Sequence, residues 1–285
     1  MFAQHYMKLP PLESRPINAM PSPPPVFRFA PSPHGYMHLG NVYSALLNER
    51  MAREAGGRLL LRIEDTDTAR SKPEFTEAIF EDLDWLGIAY EEPVRLQSEH
   101  MDEYRAALAK LDAQGLLYKC GCTRAKLAAA ASCASDPEGQ PVYPGTCRKH
   151  APEGSGPFAL RLKMDEALRR LPQRLAGRYA DPGVWGDVVL GRKDSGVSYH
   201  LCVVLDDALQ GVTHVVRGAD VEAATSIHLV LQKLFGFPSP AYHHHRLVMH
   251  DAVRKMSKSK GDQSIRTMRS EGGSSGAVRK MLGFA

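Results

Sequence analysis

Between residues 26 and 63 the chain reads as a strand, a tight turn, a helix and a second strand, and few architectures accommodate that order. Val26-Phe27-Arg28-Phe29 has the look of a short buried strand. It runs into Pro31-Ser32-Pro33-His34-Gly35, a proline and glycine turn, and then into a helix predicted from Asn41 to Ala55. Leu59-Leu60-Leu61-Arg62-Ile63 is the second strand. Two strands joined by a helix pair in parallel through a right-handed crossover, so the unit predicts an α/β fold built on a parallel sheet.

The rest of the chain extends that plan. Ser71-Lys72-Pro73-Glu74 has the spacing of a capping box, and Phe75, Ile79, Leu83 and Leu86 follow at helical intervals up to Gly87. A further helix is predicted from His100 to Gln114, closed by Gly115. From there to about Pro182 the periodicity is lost in an alanine run, a polar loop and several cysteines, which reads as an insertion between two halves of the sheet. Leu201-Cys202-Val203-Val204-Leu205 and Thr213-His214-Val215-Val216 read as more strands, and Ile227, Val230, Leu231 and Leu234 mark another crossover helix. Gly272-Gly273-Ser274-Ser275-Gly276 reads as a flexible loop. The expected organisation is a Pro-rich disordered leader over 1–25, the first half of the main α/β domain over 26–105, an insertion over 106–182 and the second half of that domain over 183–250. A lysine-rich loop with a short tail over 251–285 completes it.

At 285 residues, with 43% hydrophobic and 24% charged side chains, the chain can bury one elaborate core. Its net charge of +4 is mild but leaves room for a basic face toward a polyanion such as RNA. No apolar run approaches the roughly 18 residues of a membrane span, and the leader lacks the apolar segment of a signal peptide, so a cytoplasmic protein without a membrane partner is expected. Cysteine is present five times, an odd number, and Cys120, Cys122 and Cys147 fall in one stretch. That spacing suggests a tetrahedral metal site rather than a disulfide framework, with Cys133, Tyr143 and His150 all within reach as a fourth ligand.

Two separated motifs bear on chemistry. The segment from Pro31 to Gly40 lies between a predicted strand and helix, where free backbone amides and the helix dipole face an anion. Gly35 and Gly40 permit close approach of a nucleotide, and His34 and His38 can donate to phosphate oxygens. Near the end, Lys255-Met256-Ser257-Lys258-Ser259 places two ammonium groups among small residues, suited to stabilising a pyrophosphate leaving group. Either motif alone could be a solvated turn or charge run. Together they suit a clamp on a triphosphate.

The residues in this order resemble class I aminoacyl-tRNA synthetases of the glutamyl group. The resemblance rests on Arg28-Phe29-Ala30-Pro31-Ser32-Pro33, His38-Leu39-Gly40, Leu61-Arg62-Ile63-Glu64-Asp65-Thr66-Asp67 and the lysine-rich loop, and it spans about residues 26 to 262. Tyr199 to Asp207, Gln210 to Thr213 and Val216 to Asp220 look like the second-half signature of the family's short branch, the glutamyl-Q tRNA(Asp) synthetases.

That resemblance implies a Rossmann-like catalytic domain with an inserted zinc-bearing subdomain and no anticodon-binding domain. It implies activation of L-glutamate by ATP with Mg2+, independent of tRNA, and transfer of glutamate to queuosine at the wobble position of tRNA(Asp), by a monomer. Arg28, Phe29, Ala30, Pro31, Ser32, Glu64, Tyr199 and Arg217 are implied as the glutamate pocket, a set whose chemistry suits two carboxylates and one ammonium. His34, Gly35, His38, Gly40, Lys255 and Lys258 are implied to bind ATP, with His38 and the two lysines catalytic. Cys120, Cys122, Tyr143 and Cys147 are implied to hold structural Zn2+. Asp65 and Asp67 are read as holding the loop or capping the next helix, and the His243-His244-His245 run as a loop or strand end lining the nucleotide site. Asn41 stands where the family's motif carries its second histidine, which leaves its role open. The alternatives are a truncated glutamyl-tRNA synthetase charging a 3′ end, and a silent tRNA-binding or glutamate-sensing paralogue.

Overall fold

The computed structural model describes residues 23–129, 134–171, 179–249 and 263–284. In chain order its elements are β1 (Val26–Phe29), α1 (Leu39–Glu54), β2 (Arg58–Ile63), α2 (Pro73–Leu86), β3 (Glu91–Leu96), α3 (Met101–Ala113), β4 (Leu117–Cys120), α4 (Arg124–Ala129), α5 (Thr146–Lys149) and β5 (Ala159–Leu162). They continue with α6 (Met164–Arg170), β6 (Val189–Gly191), α7 (Tyr199–Leu209), β7 (His214–Gly218), α8 (Thr225–Phe235), β8 (Ala241–His245), α9 (Ile265–Ser270) and α10 (Ser275–Met281).

The expected opening unit is present: β1 and β2 pair in parallel from Val26↔Arg58 to Phe29↔Leu61, with α1 as the crossover. The main sheet has the order β3-β2-β1-β7-β8, and every neighbouring pair in it is parallel. Strand order reverses at β1, so a crevice opens beyond the carboxyl ends of β1 and β7, where ligands of such sheets bind. A single register position, Phe27↔His214, joins those two strands. The Asn48 amide, fully buried on α1, donates to Val216 O of β7 at 3.1 Å and ties the helix across the seam.

The stretch expected to be irregular contains β4 and β5, which pair with β6 beyond its expected end to form a second sheet, β4-β5-β6, antiparallel throughout. Its core joins α3, α7 and α8 through Leu111, Leu116, Leu162, Leu190, Leu201 and Leu231, all fully buried.

Three local expectations need correction. Leu201–Leu205 lies within helix α7, not a strand; an apolar run of five fits a buried strand or one turn of a buried helix, and here the helix is enclosed by core on most sides. Lys72 rather than Ser71 precedes α2, without a side-chain cap, although Pro73 opens the helix and Gly87 closes it with φ 68°. Gly272 to Gly276 is partly ordered: Ser274 caps α10 by accepting from Ala277 N at 3.2 Å.

Candidate active site

The crevice between β1 and β7 holds a cavity of about 580 Å³. Phe29, Ala30, Pro31 and Ser32, which leave β1, line one side; Arg217, Gly218 and Asp220, which leave β7, line another. Arg28, Glu64, Tyr199, His34, His38 and Gly40 complete the set expected from sequence, with Asn41, Arg70 and His245 beside them. Gly35 is not on the wall; with φ 150° it shapes the turn behind it. Lys255 and Lys258 lie outside the described residues. Val248 and Ser264 flank that segment, the first lining the cavity and the second bridged to His38.

One wall is organised by a buried ion network. Arg28 (3% exposed) gives its Nε–H to Asp207 Oδ1 at 3.1 Å, so its two terminal amino groups remain for the cavity it lines. Arg62, wholly buried, donates to Asp207 at 2.8 Å, to Gln210 at 3.0 Å and to Glu64 at 3.3 Å. Burial opposes the Arg62 charge, but Asp207, Glu64 and Asp206 outweigh it and push its pKa up. For Glu64 burial wins over Arg62 and Arg28, and its carboxyl is raised above the ordinary range. For Asp207 the opposite holds: burial would raise it, but Arg28 and Arg62 bring it below the usual carboxylate value. Asp206, next along α7, accepts from Arg95 at 2.8 Å, Gln97 at 2.7 Å and Tyr104 at 2.9 Å. Pairs this deeply buried add little net stability, but removing one partner is costly, so the network fixes geometry.

Arg217 projects from β7 into a cage of acceptors. It donates to Tyr199 Oη at 3.2 Å, His228 Nδ1 at 3.1 Å, Thr225 Oγ1 at 2.7 Å and His244 Nε2 at 3.4 Å. A guanidinium has five N–H donors, so four are engaged and one remains. Arg28 therefore keeps a full fork for a carboxylate, whereas Arg217 keeps one N–H, on the Nη2 that also donates to Thr225.

The cage also fixes two tautomers. A guanidinium only donates, so His228 Nδ1 accepts and its proton sits on Nε2. His228 Nε2 lies 3.2 Å from His200 Nδ1, which must then accept, leaving the His200 proton on Nε2. Burial and then Arg217 hold both rings neutral, His228 well below the ordinary imidazole range and His200 at about 4.

On the α1 side of the cavity, His38 is the N-cap of that helix. Its Nδ1 accepts from Gly40 N–H at 3.0 Å, and Asn41 Oδ1 accepts from His38 N–H at 3.2 Å. This reciprocal cap settles the open role of Asn41: it holds the turn. It also puts the His38 proton on Nε2. A methyl group on residue 40 would come 2.8 Å from the His38 ring, so glycine lets the imidazole lie against the helix end. Asp65 takes Ser98 N–H and Oγ–H, both at 2.7 Å, and Asp67 takes Arg70 at 2.7 Å, so both hold loops as expected.

His243, His244 and His245 form most of β8. His245 lines the cavity and His244 supports Arg217.

The three cysteines meet at the mouth of the second sheet. Cys120, Cys122 and Cys147 hold their sulfurs within 4.8 Å of one another, and Cys122 and Cys147 are 3.5 Å apart. The Tyr143 hydroxyl is 3.6 Å from Cys120 Sγ, 3.8 Å from Cys122 Sγ, and accepts Cys147 N–H at 2.7 Å. Burial disfavours the Cys120 thiolate, but hydrogen bonding from Arg161 and neighbours brings its pKa to about 7. Three thiols and a phenol oxygen around one point fit a tetrahedral zinc site. Cys133, one of the open fourth ligands, lies outside the described residues.

Sequence reasoning missed Asp207, Arg62, His228, Thr225 and His244 as supports of the pocket. Placing 199–209 on a helix would have found Asp207, because it stands two turns from Tyr199 on α7.

Among the described residues no helix is long and apolar enough to cross a membrane. The sequence profile of the family described as tRNA synthetases class I (E and Q), catalytic domain, matches residues 26–283. A glutamyl-Q tRNA(Asp) synthetase of Rhodobacter capsulatus is 44% identical over 279 residues, covering 91% of this chain and 100% of that protein. One of Geobacter sulfurreducens is 39% identical, covering 90% and 83%. A solved glutamate tRNA ligase from Elizabethkingia meningosepticum, in complex with its amino acid, superposes with a TM-score of 0.66 at 29% identity. That match covers 84% of this chain and 53% of the ligase, so the chain spans about half of the longer enzyme.

Proposed function

Since the chain belongs to the class I glutamyl and glutaminyl tRNA synthetase family, in its glutamyl-Q tRNA(Asp) synthetase branch, we propose that it activates L-glutamate with ATP without needing tRNA. It then transfers the glutamyl group to queuosine at the wobble position of tRNA(Asp). The observation that carries this reading is the charge pattern of one cavity. An unfilled Arg28 fork, a single Arg217 N–H, Tyr199 Oη and the Glu64 carboxylate surround the same space beside the N-terminus of α1.

In the first step a glutamate α-carboxylate oxygen attacks the α-phosphorus of ATP. An O–P bond forms, the bond to the bridging oxygen breaks, and pyrophosphate leaves with the electron pair. Arg28 and Arg217 with Tyr199 hold the two substrate carboxylates, and Glu64 holds the ammonium. His38 Nε2–H donates to phosphate oxygens beside the positive end of α1, and Lys255 and Lys258 offset charge on the departing pyrophosphate. Catalysis is positioning and electrostatics with no covalent enzyme intermediate. In the second step an acceptor hydroxyl attacks the glutamyl carbonyl carbon. The new C–O ester bond replaces the bond to AMP, and the hydroxyl proton leaves with AMP or solvent.

Magnesium accompanies ATP as co-substrate. Zinc on Cys120, Cys122, Tyr143 and Cys147 would cross-link the end of β4 to α5 and the loop before it, and take no part in either step.

The test is pyrophosphate exchange without RNA. Exchange that depends on L-glutamate supports the reading; equal exchange with glutamine or aspartate rejects the pocket assignment.

A further inference from the structure

Among the described residues the buried arginines are Arg28, Arg62, Arg161 and Arg217. A guanidinium is rarely taken out of water unless an anion balances it. Arg28 has Asp207, Arg62 has Asp207 and Glu64, and Arg217 is assigned to a carboxylate of the substrate. Arg161, 8% exposed, forms no ion pair among the described residues. Its Nη1–H donates to the main-chain oxygen of Asp187 at 2.7 Å, and its Nε–H has no partner.

What lies against Arg161 is the candidate metal centre. Arg161 stands on β5 opposite Tyr118 of β4, and so shares a face of the second sheet with Cys120, two residues further along β4. Its Cζ is 3.8 Å from the centre of the Tyr143 ring, a close cation–π stack. The hydroxyl of that same ring lies between the sulfurs of Cys120 and Cys122. Other cations nearby are already engaged. Arg148 pairs with Asp165 at 2.7 Å and Glu166 at 3.0 Å, and the exposed Lys193 donates to Cys122 O at 2.9 Å. Zn2+ held by three thiolates is a net anion, more so with a phenolate as fourth ligand, so the filled centre carries the charge that Arg161 lacks.

We propose that Arg161 is a positioning residue of the metal centre, balancing its negative charge and holding the Tyr143 ring with its oxygen toward the three sulfurs. The inference rests on the zinc reading above. A flat guanidinium suits this role because it stacks on the ring over its whole face and still donates at its edge, which an ammonium cannot do. It also brings β5 into the unit that zinc forms with β4 and α5.

The test uses the full chain with Arg161→Met, which removes the charge, and Arg161→Lys, which keeps the charge without the planar stack. Zinc affinity is read by competition with a chromophoric chelator, and the ligand geometry by the absorption spectrum of the Co2+-loaded protein. Arg161→Met should bind zinc about 10- to 100-fold more weakly, the usual loss when a group supporting metal ligands is removed. Arg161→Lys should recover part of that affinity but show a shifted Co2+ spectrum, since the ring is no longer held. Stripped of metal by the chelator, Arg161→Met should melt no lower than the parent, because it removes a buried cation with no anion beside it. Parental zinc affinity in Arg161→Met would overturn the assignment. So would an equal loss in both variants, or a lower melting temperature of Arg161→Met with and without zinc, since packing alone would then explain the residue. Failure of the zinc reading itself shows separately, as an unsubstituted protein that takes no zinc from the chelator.

Discussion

Replacing Glu64 with glutamine keeps the shape of the side chain and removes its charge, and two effects of opposite sign should follow. Glu64 is 9% exposed and holds one hydrogen bond, from Arg62 at 3.3 Å. Burial raises its carboxyl despite Arg62 and Arg28, so the charged form is costly in the empty protein. Its folded pKa lies above the unfolded one. Its contribution to stability is therefore present at low pH and lost as pH rises through the raised value. At pH 7.5 the variant should thus be at least as stable as the parent, because Arg62 keeps Asp207 at 2.8 Å and Gln210 at 3.0 Å.

Binding should move the other way. A charge-assisted contact to the substrate ammonium in this enclosed site is worth about 2–3 kcal/mol, so KM for glutamate should rise about 30- to 150-fold. The pH dependence provides a second readout. The substrate ammonium stays charged across the acid range, so parental glutamate binding should weaken as pH falls through the raised Glu64 value, and the variant should lack that limb. Calorimetric titration with L-glutamate, alongside pyrophosphate exchange and thermal melts, measures all three. A KM within twofold of the parent, or a persistent acid limb, would refute the assignment of the ammonium to Glu64.

Three further outcomes are expected. Asp82 on α2 is 1% exposed, its Oδ2 lacks a hydrogen-bond partner, and burial lifts its carboxyl to about 6 against the pull of Arg266 and Arg269. Parental stability should then decline between about pH 4 and 7, and melts of Asp82→Asn should show a flatter profile over that range. Cys147→Ser should lose bound zinc by elemental analysis and melt several degrees lower, and Tyr143→Phe should bind the metal more weakly; unchanged metal content in both would remove the site. Lys258→Ala should bind glutamate nearly normally by calorimetry and lose about 100-fold in exchange rate, as for a contact that strengthens in the transition state.

The sequence disclosed the opening of the fold because β1, α1 and β2 each carry a distinct signal: short apolar runs, a glycine turn and helical spacing. It misjudged α7 because Leu201 to Leu205 are all apolar, and a segment enclosed by core shows neither period. The β4-β5-β6 sheet was hidden by strand length, since β6 spans only three residues. Residues that face the cavity could be named from their motifs, whereas Asp207, Thr225 and His228, which aim them, could not. Support of that kind depends on which helix face meets which strand end, and local sequence does not record it. Asn41 is the instructive exception: it looked like a departure from a catalytic motif and proved to be half of a helix cap.

The most direct measurement is to incubate the protein with radiolabelled glutamate, ATP and tRNA(Asp) with or without queuosine, then digest with nuclease and map the labelled nucleotide. Label on the queuosine-bearing wobble nucleotide, absent when queuosine is absent, is the predicted result. Label on the 3′-terminal adenosine, or equal labelling of both RNAs, would contradict it.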